Sequence, residues 1–277
     1  MSSRRNRKII FIALIFTIVL LSALFFANKS DTDELASRKK QTIVNPIFMQ
    51  GNGYVSLNKD EVFSLSIPFL YGDTNIADVE SISFNDSSIN AEFTNITGDY
   101  VFDEDTNVNS FNFDISFSSL GNYPIKELTI VTSKKTITVS IGNFIFEVLD
   151  SSDDDLSLFG NTVGIQSDVT KYLLSIANDN KESTIFIKDI YAKTDALSIL
   201  SDNIEIAPNN TFSKELSTSI DVNDNKYSWY LIKPKIDYLI KDEAKIFLSN
   251  ATYMGLIDIS QNQVDLTLKN KQGSEFN

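Results

Sequence analysis

Oxygen ligands are the first chemistry this sequence offers. Asp103, Asp105, Asn107, Asn109 and Asp114 match the ligand spacing of a twelve-residue calcium loop, positions 1, 3, 5, 7 and 12. A hard cation of that kind takes roughly six to eight oxygen donors. Val108, however, occupies the position where such a loop turns on glycine, and Asp114 belongs to an alternating strand pattern. Asp153, Asp154 and Asp155 set three more carboxylates side by side in the acidic run from Asp150 to Leu156. A third arrangement, Asp221, Asn223 and Asn225, has Lys226 at the glycine position and Ile232 at the last ligand. The metal candidates are therefore Asp103, Asp105, Asp153, Asp154 and Asp155, each weighed against a plain reading as a solvated turn or linker. With no pattern complete, neither a metal nor any other cofactor is expected.

The chain has no Cys and no His. Thiolate nucleophiles, imidazole bases, catalytic triads and the usual zinc ligands are thereby excluded. Hydrolysis by carboxylates alone would need two acids about 5–10 Å apart across a cleft. With 37 Asp and Glu such pairs arise by accident, and the sequence singles none out. No enzyme activity is expected and no catalytic residue is named. The one tryptophan, Trp229, lies in the run from Tyr227 to Ile232. Alternation puts Tyr227, Trp229 and Leu231 on a core face and points Tyr230 outward, which makes Tyr230 the candidate partner contact. A sugar-binding surface would ask for two or three such exposed aromatics on one face.

These side chains need a scaffold and an address. Ile9 to Ala27 is nineteen residues without a charge or a proline. As a helix rising about 1.5 Å per residue it spans roughly 28 Å, close to the hydrocarbon thickness of a bilayer. Arg4, Arg5, Arg7 and Lys8 precede it, whereas Asp31, Asp33 and Glu34 follow. By the positive-inside rule, residues 1–8 form a cytoplasmic tail and everything beyond the segment lies outside the cell membrane. A cleavable signal peptide has a shorter apolar run ending in a small-x-small site. Ser22, Ala23 and Ala27 do not make one, so residues 9–27 read as a retained signal anchor whose partner is the lipid bilayer. Residues 28–42, polar and ending in Arg38, Lys39 and Lys40, read as a stalk.

The formal charge is −13, and the basic tail contributes +4 of positive charge, leaving −17 for the rest. A body so acidic repels phosphate backbones, and nucleic acid is not an expected partner.

From residue 43 the pattern alternates apolar with Ser, Thr, Asn and Asp, the period of half-buried strands. Phe63, Leu65, Ile67 and Phe69 are one such row, and Phe111, Phe113, Ile115 and Phe117 another. Pro68, lacking an amide donor, predicts a strand end or sheet edge. Ile137, Val139 and Ile141 change parity to Phe144, Phe146 and Val148 across Gly142 and Asn143. Either a two-residue hairpin or a glycine bulge within one long strand produces that flip. Beyond the acidic linker at 151–160, strand-like runs resume at residues 170–177, 184–190, 204–207, 227–232, 236–240, 245–248 and 264–268, and no helix of ten residues competes. The expected fold is all-β: two tandem immunoglobulin-like antiparallel β-sandwiches, 43–150 and 161–277, behind one N-terminal transmembrane helix. The expected function is a non-catalytic accessory or protein-interaction module of the bacterial cell envelope, contacting another envelope protein. The alternative is a surface adhesin or carbohydrate-binding module against wall polymer.

Overall fold

A computed structural model describes residues 46–71, 79–101, 107–133, 135–151, 155–159, 163–200, 203–220, 226–256 and 259–274. The apolar segment 9–27, its flanking Arg4, Arg5, Arg7 and Lys8, and the stalk all lie outside these residues. Among the described residues no helix is long and apolar enough to cross a membrane.

The protein is all-β with one helix among the described residues. The strands before residue 150 are β1 (Ile47–Phe48), β2 (Gly51–Asn58), β3 (Phe63–Tyr71), β4 (Val79–Ser83), β5 (Ile89–Val101), β6 (Asn107–Phe117), β7 (Gly121–Thr132) and β8 (Thr136–Leu149). Those after it are β9 (Leu156–Leu158), β10 (Val163–Gln166), β11 (Lys171–Asn178), β12 (Ile185–Tyr191), β13 (Ile204–Ile206) and β14 (Thr211–Ser217). β15 (Trp229–Lys233), β16 (Lys235–Ile240), β17 (Glu243–Leu248), β18 (Ala251–Met254) and helix α1 (Gln261–Ser274) complete the order.

The alternating rows fold as their periodicity requires. In the sheet β1-β3-β6-β5, Leu65 stands opposite Phe113 and Ile67 opposite Phe111, all buried, while Ser64, Ser66, Asn112 and Asp114 of the other parity face outward. That outer face is a polar ladder: Ser66 Oγ donates to Asn112 Oδ1 at 2.6 Å, and Asn112 Nδ2 to Asn95 Oδ1 at 2.8 Å. Of the two expected placements for Pro68, strand end or sheet edge, the structure shows the second: β3 runs on through Pro68, which stands where pairing with β1 has ended. β1 stops at Phe48, so on that side Pro68 owes no N–H, and its carbonyl accepts the Met49 amide at 2.9 Å. The long outer edge, β5, carries register breaks at Phe93/Asn95 and Gly98/Tyr100, which interrupt what would otherwise be a template for edge-to-edge pairing.

Facing this sheet is one of seven strands, β10-β18-β15-β2-β8-β7-β4. It departs from the expected design in two ways. Strands from both sides of residues 151–160 pair within it, since β15 lies against β2 with Leu231 beside Gly53. It is also mixed rather than antiparallel, because β2 runs parallel to both β8 and β15, and β10 runs parallel to β18. β2 is the buried centre of the sheet, and Gly51 and Gly53 there let the large rings of Phe144 and Trp229 close over the backbone. The parity flip at Gly142 resolves as the bulge: β8 continues through it, and its register against β7 jumps between Ile125 and Glu127. Gly142 has φ 121°, and a Cβ there would fall 1.8 Å from the Gly51 carbonyl oxygen.

The two remaining sheets, β14-β11-β9 and β13-β12-β16-β17, enclose a second core. A long hairpin joins them to the first. β15 and β16 run out through Pro234, turn at Lys241 and Asp242, both at positive φ, and return as β17 and β18. Its near half pairs into the seven-stranded sheet and its far half into the second body. Trp229, Leu231 and Tyr253 thus pack in the first core, while Tyr54, Tyr230, Ile232 and Met254 face the second.

Residues 264–268, expected as a strand, lie in α1. Val264, Leu266 and Leu268 satisfy a period of two, but Val264, Thr267 and Leu268 satisfy a helical one, and the preceding residues decide it. Ser260 and Gln263 form a capping box, with Ser260 N–H donating to Gln263 Oε1 at 2.8 Å and Gln263 N–H to Ser260 Oγ at 3.4 Å. Gln263 Nε2 also donates to the carbonyls of Ser228 (2.6 Å) and Gly255 (2.7 Å), which pins the helix over the start of β15.

Candidate functional site

Three places bring polar or apolar side chains to the surface in a way a ligand or partner could use. The first is a groove of about 880 Å³ at the Gly51–Gly142 crossing, lined by residues of β1, β7, β8 and α1 and by Asp195. Gln50 closes part of it: its Nε2 donates to the Ser140 carbonyl and its Oε1 accepts from Ser140 Oγ, both at 2.8 Å. The side chain thereby does for β8 what a further strand would do. Asp195, in the connection after β12, gathers donors from four directions. Asn52 Nδ2 (2.8 Å) and Asn143 Nδ2 (2.9 Å) reach Oδ1, while Lys226 Nζ and the Tyr227 hydroxyl reach Oδ2, each at 3.2 Å. Partial burial pushes this carboxyl upward, but the hydrogen bonds from Asn143, Lys226 and Asn52 outweigh it and hold it down at about 2. Such a group stays ionised and weakly basic at neutral pH. It ties the loop to the ends of β2 and β8 and is ill suited to move protons.

The second is a cleft of about 410 Å³ between the two bodies, lined by Tyr54, Asn122, Pro124, Ile145, Glu147, Tyr191, Lys193 and Lys235. The Tyr54 hydroxyl donates to Glu147 Oε2, and Lys235 Nζ reaches Glu147 Oε1 at 2.7 Å. Lys235 Nζ also stands 4.9 Å from the Tyr191 ring centre, and the Tyr54 and Tyr191 rings meet edge to face at 5.2 Å. Burial first, and Glu147 second, raise the Tyr54 hydroxyl far above the normal tyrosine range, so it stays protonated as a donor. The cleft is internally paired. Two more ion pairs continue this seam, Lys233 with Glu61 at 2.5 Å and Lys245 with Asp155. In each of the three the carboxylate precedes residue 156 and the lysine comes from the long hairpin.

The third is the outer face of β14-β11-β9. Tyr172, Leu174 and Ile176 point into the second core, so Leu173 points out and is 42 % exposed. Phe159, whose N–H bonds the Ser175 carbonyl, and Leu200, whose N–H bonds the Ser217 carbonyl, extend the same face at 56 % and 58 % exposed. Between them lie the Ser175–Ser213 contact at 2.8 Å and the solvent-exposed Lys171–Glu215 pair at 2.9 Å. The face is thus close to neutral, with three large apolar groups, on a strongly acidic protein. Sequence reasoning singled out none of the three; the available signals were an apolar residue on the polar parity of an alternating run for Leu173 and an aromatic in an acidic linker for Phe159.

Of the residues singled out from sequence, Asp155, Trp229 and Tyr230 are among the described ones. Asp103, Asp105, Asp153 and Asp154 lie outside the described residues. Asp155 is engaged by Lys245 and by Asn180 Nδ2 at 2.9 Å, and these hydrogen bonds lower its pKa. Among the described residues no group of three or more acidic side chains is placed to hold a metal ion. Tyr230 is 5 % exposed and packs beside Tyr227, which corrects its expected outward position. β15 lies inside a sheet covered on both faces, so neither parity of the strand reaches solvent. Trp229 is fully buried, its Nε1 donating to the Met49 carbonyl at 3.0 Å.

The chain matches no protein-family model and no curated protein. Among solved structures it is similar to a protein of unknown function from Porphyromonas gingivalis W83, with 14 % identity, 73 % of this chain and 94 % of that one covered, and a TM-score of 0.25. It is also similar to the VesB protease of Vibrio cholerae (11 %, 57 % and 61 %, 0.27) and to the YadV chaperone (9 %, 75 % and 100 %, 0.22). At these scores the likeness defines neither a shared fold nor a function.

Proposed function

We propose that the protein is a non-catalytic interaction module of the cell envelope, anchored by residues 9–27 and contacting another envelope protein through the outer face of β14-β11-β9. The observation that carries this reading is the exposure of Phe159, Leu173 and Leu200 together on one face of a three-stranded sheet. Apolar groups clustered on a surface mark contact sites more often than scattered ones do. The finer fold name, immunoglobulin-like, is supported by strand order in the first body. The pairing β1-β3-β6-β5 opposite β8-β7-β4 reproduces the two sheets of a constant-type sandwich, with β2 as the continuation of the first strand in the second sheet. That folds of this kind serve as binding modules is an analogy of architecture and adds only a prior. The self-paired state of Asp195 and Glu147 favours a non-catalytic reading over hydrolysis by carboxylates. Sugar stacking loses its chief candidate with the burial of Tyr230.

A photo-crosslinking residue placed at Leu173 in the full-length protein, in native membranes, tests this. One discrete adduct is expected, absent when the residue is placed at exposed Glu92 on the opposite body. Equal, diffuse labelling from both positions, or fractionation of the full-length chain away from membranes, would overturn it.

A further inference from the structure

We draw no further inference here: the strongest candidate, the groove of about 880 Å³ beside the β8 edge at Thr138–Ser140, lined by Ile47, Phe48 and Val139 and partly closed by Gln50, offers room for an added strand, but nothing in the structure shows what covers it.

Discussion

Replacing Gly142 by Ala tests the central crossing of the fold. The new methyl group would sit 1.8 Å from the Gly51 carbonyl oxygen and 2.5 Å from the Gly51 nitrogen, both backbone atoms that cannot rotate away. Its φ of 121° adds a backbone cost of about 1–3 kcal/mol for a residue bearing a Cβ. Forcing β2 and β8 apart adds about 1–3 kcal/mol, as overpacking does in a filled core. The expected loss is therefore about 2–6 kcal/mol, against about 1 kcal/mol for an average substitution. Trp229, the only tryptophan, packs 5.2 Å from Phe144 directly over this crossing, so its fluorescence reports unfolding where the strain is introduced. With a urea dependence of about 2–3 kcal/mol per molar, the midpoint should fall by about 1–3 M. Gly164→Ala is the control: its Cβ would meet Thr252 at an ordinary 3.4 Å. A midpoint shift for Gly142→Ala no larger than that for Gly164→Ala would refute the reasoning.

Five other outcomes follow from the same structure. Glu61→Gln should cost about 1–2 kcal/mol in urea unfolding because it strands the buried Lys233 ammonium, whereas Lys233→Met, which removes the charge, should cost less than Glu61→Gln. Asp195 has a folded-state pKa depressed to about 2, so it adds stability above its unfolded value and loses it as pH falls from about 4 to 2. In thermal melts across that window, Asp195→Asn should flatten the acid slope. Asp237 behaves in the opposite sense, since burial, together with Asp189 and Glu147, raises its pKa against the pull of Lys235. Its ionisation costs stability at neutral pH, so Asp237→Asn should raise the melting temperature at pH 7 and lose that advantage below about pH 4. Ser260→Ala should cost about 1 kcal/mol by removing the α1 cap, read as faster amide exchange in residues 261–264. Finally, Leu173→Ser should leave the unfolding free energy within about 0.5 kcal/mol of the parent while weakening the adduct formed from a crosslinker at the neighbouring exposed Ser213, a separation that a core role for Leu173 would not allow.

The all-β class and the inward rows are legible in the chain's residue pattern, because a strand with one wet face writes its burial into alternate residues. Phe63 to Phe69 and Phe111 to Phe117 could be placed from that pattern alone, and the parity change at Gly142 marked the bulge as one of two readings. The polar network around Asp195 was not legible. Its members, Asn52, Asn143, Asp195 and Lys226, are far apart in the chain and carry no mutual spacing. Periodicity also misplaced Tyr230, because a strand buried on both faces has no alternation to read, and which strands acquire two covered faces depends on pairing between distant segments. The pairing of β15 with β2, which sets Trp229 beside Gly51, is visible only in the folded chain, and it divides Trp229 and Tyr230 between two cores. It alone decided that Phe159, Leu173 and Leu200 share one face, since hydrogen-bond register between strands, not spacing along any of them, sets which side chains stand together.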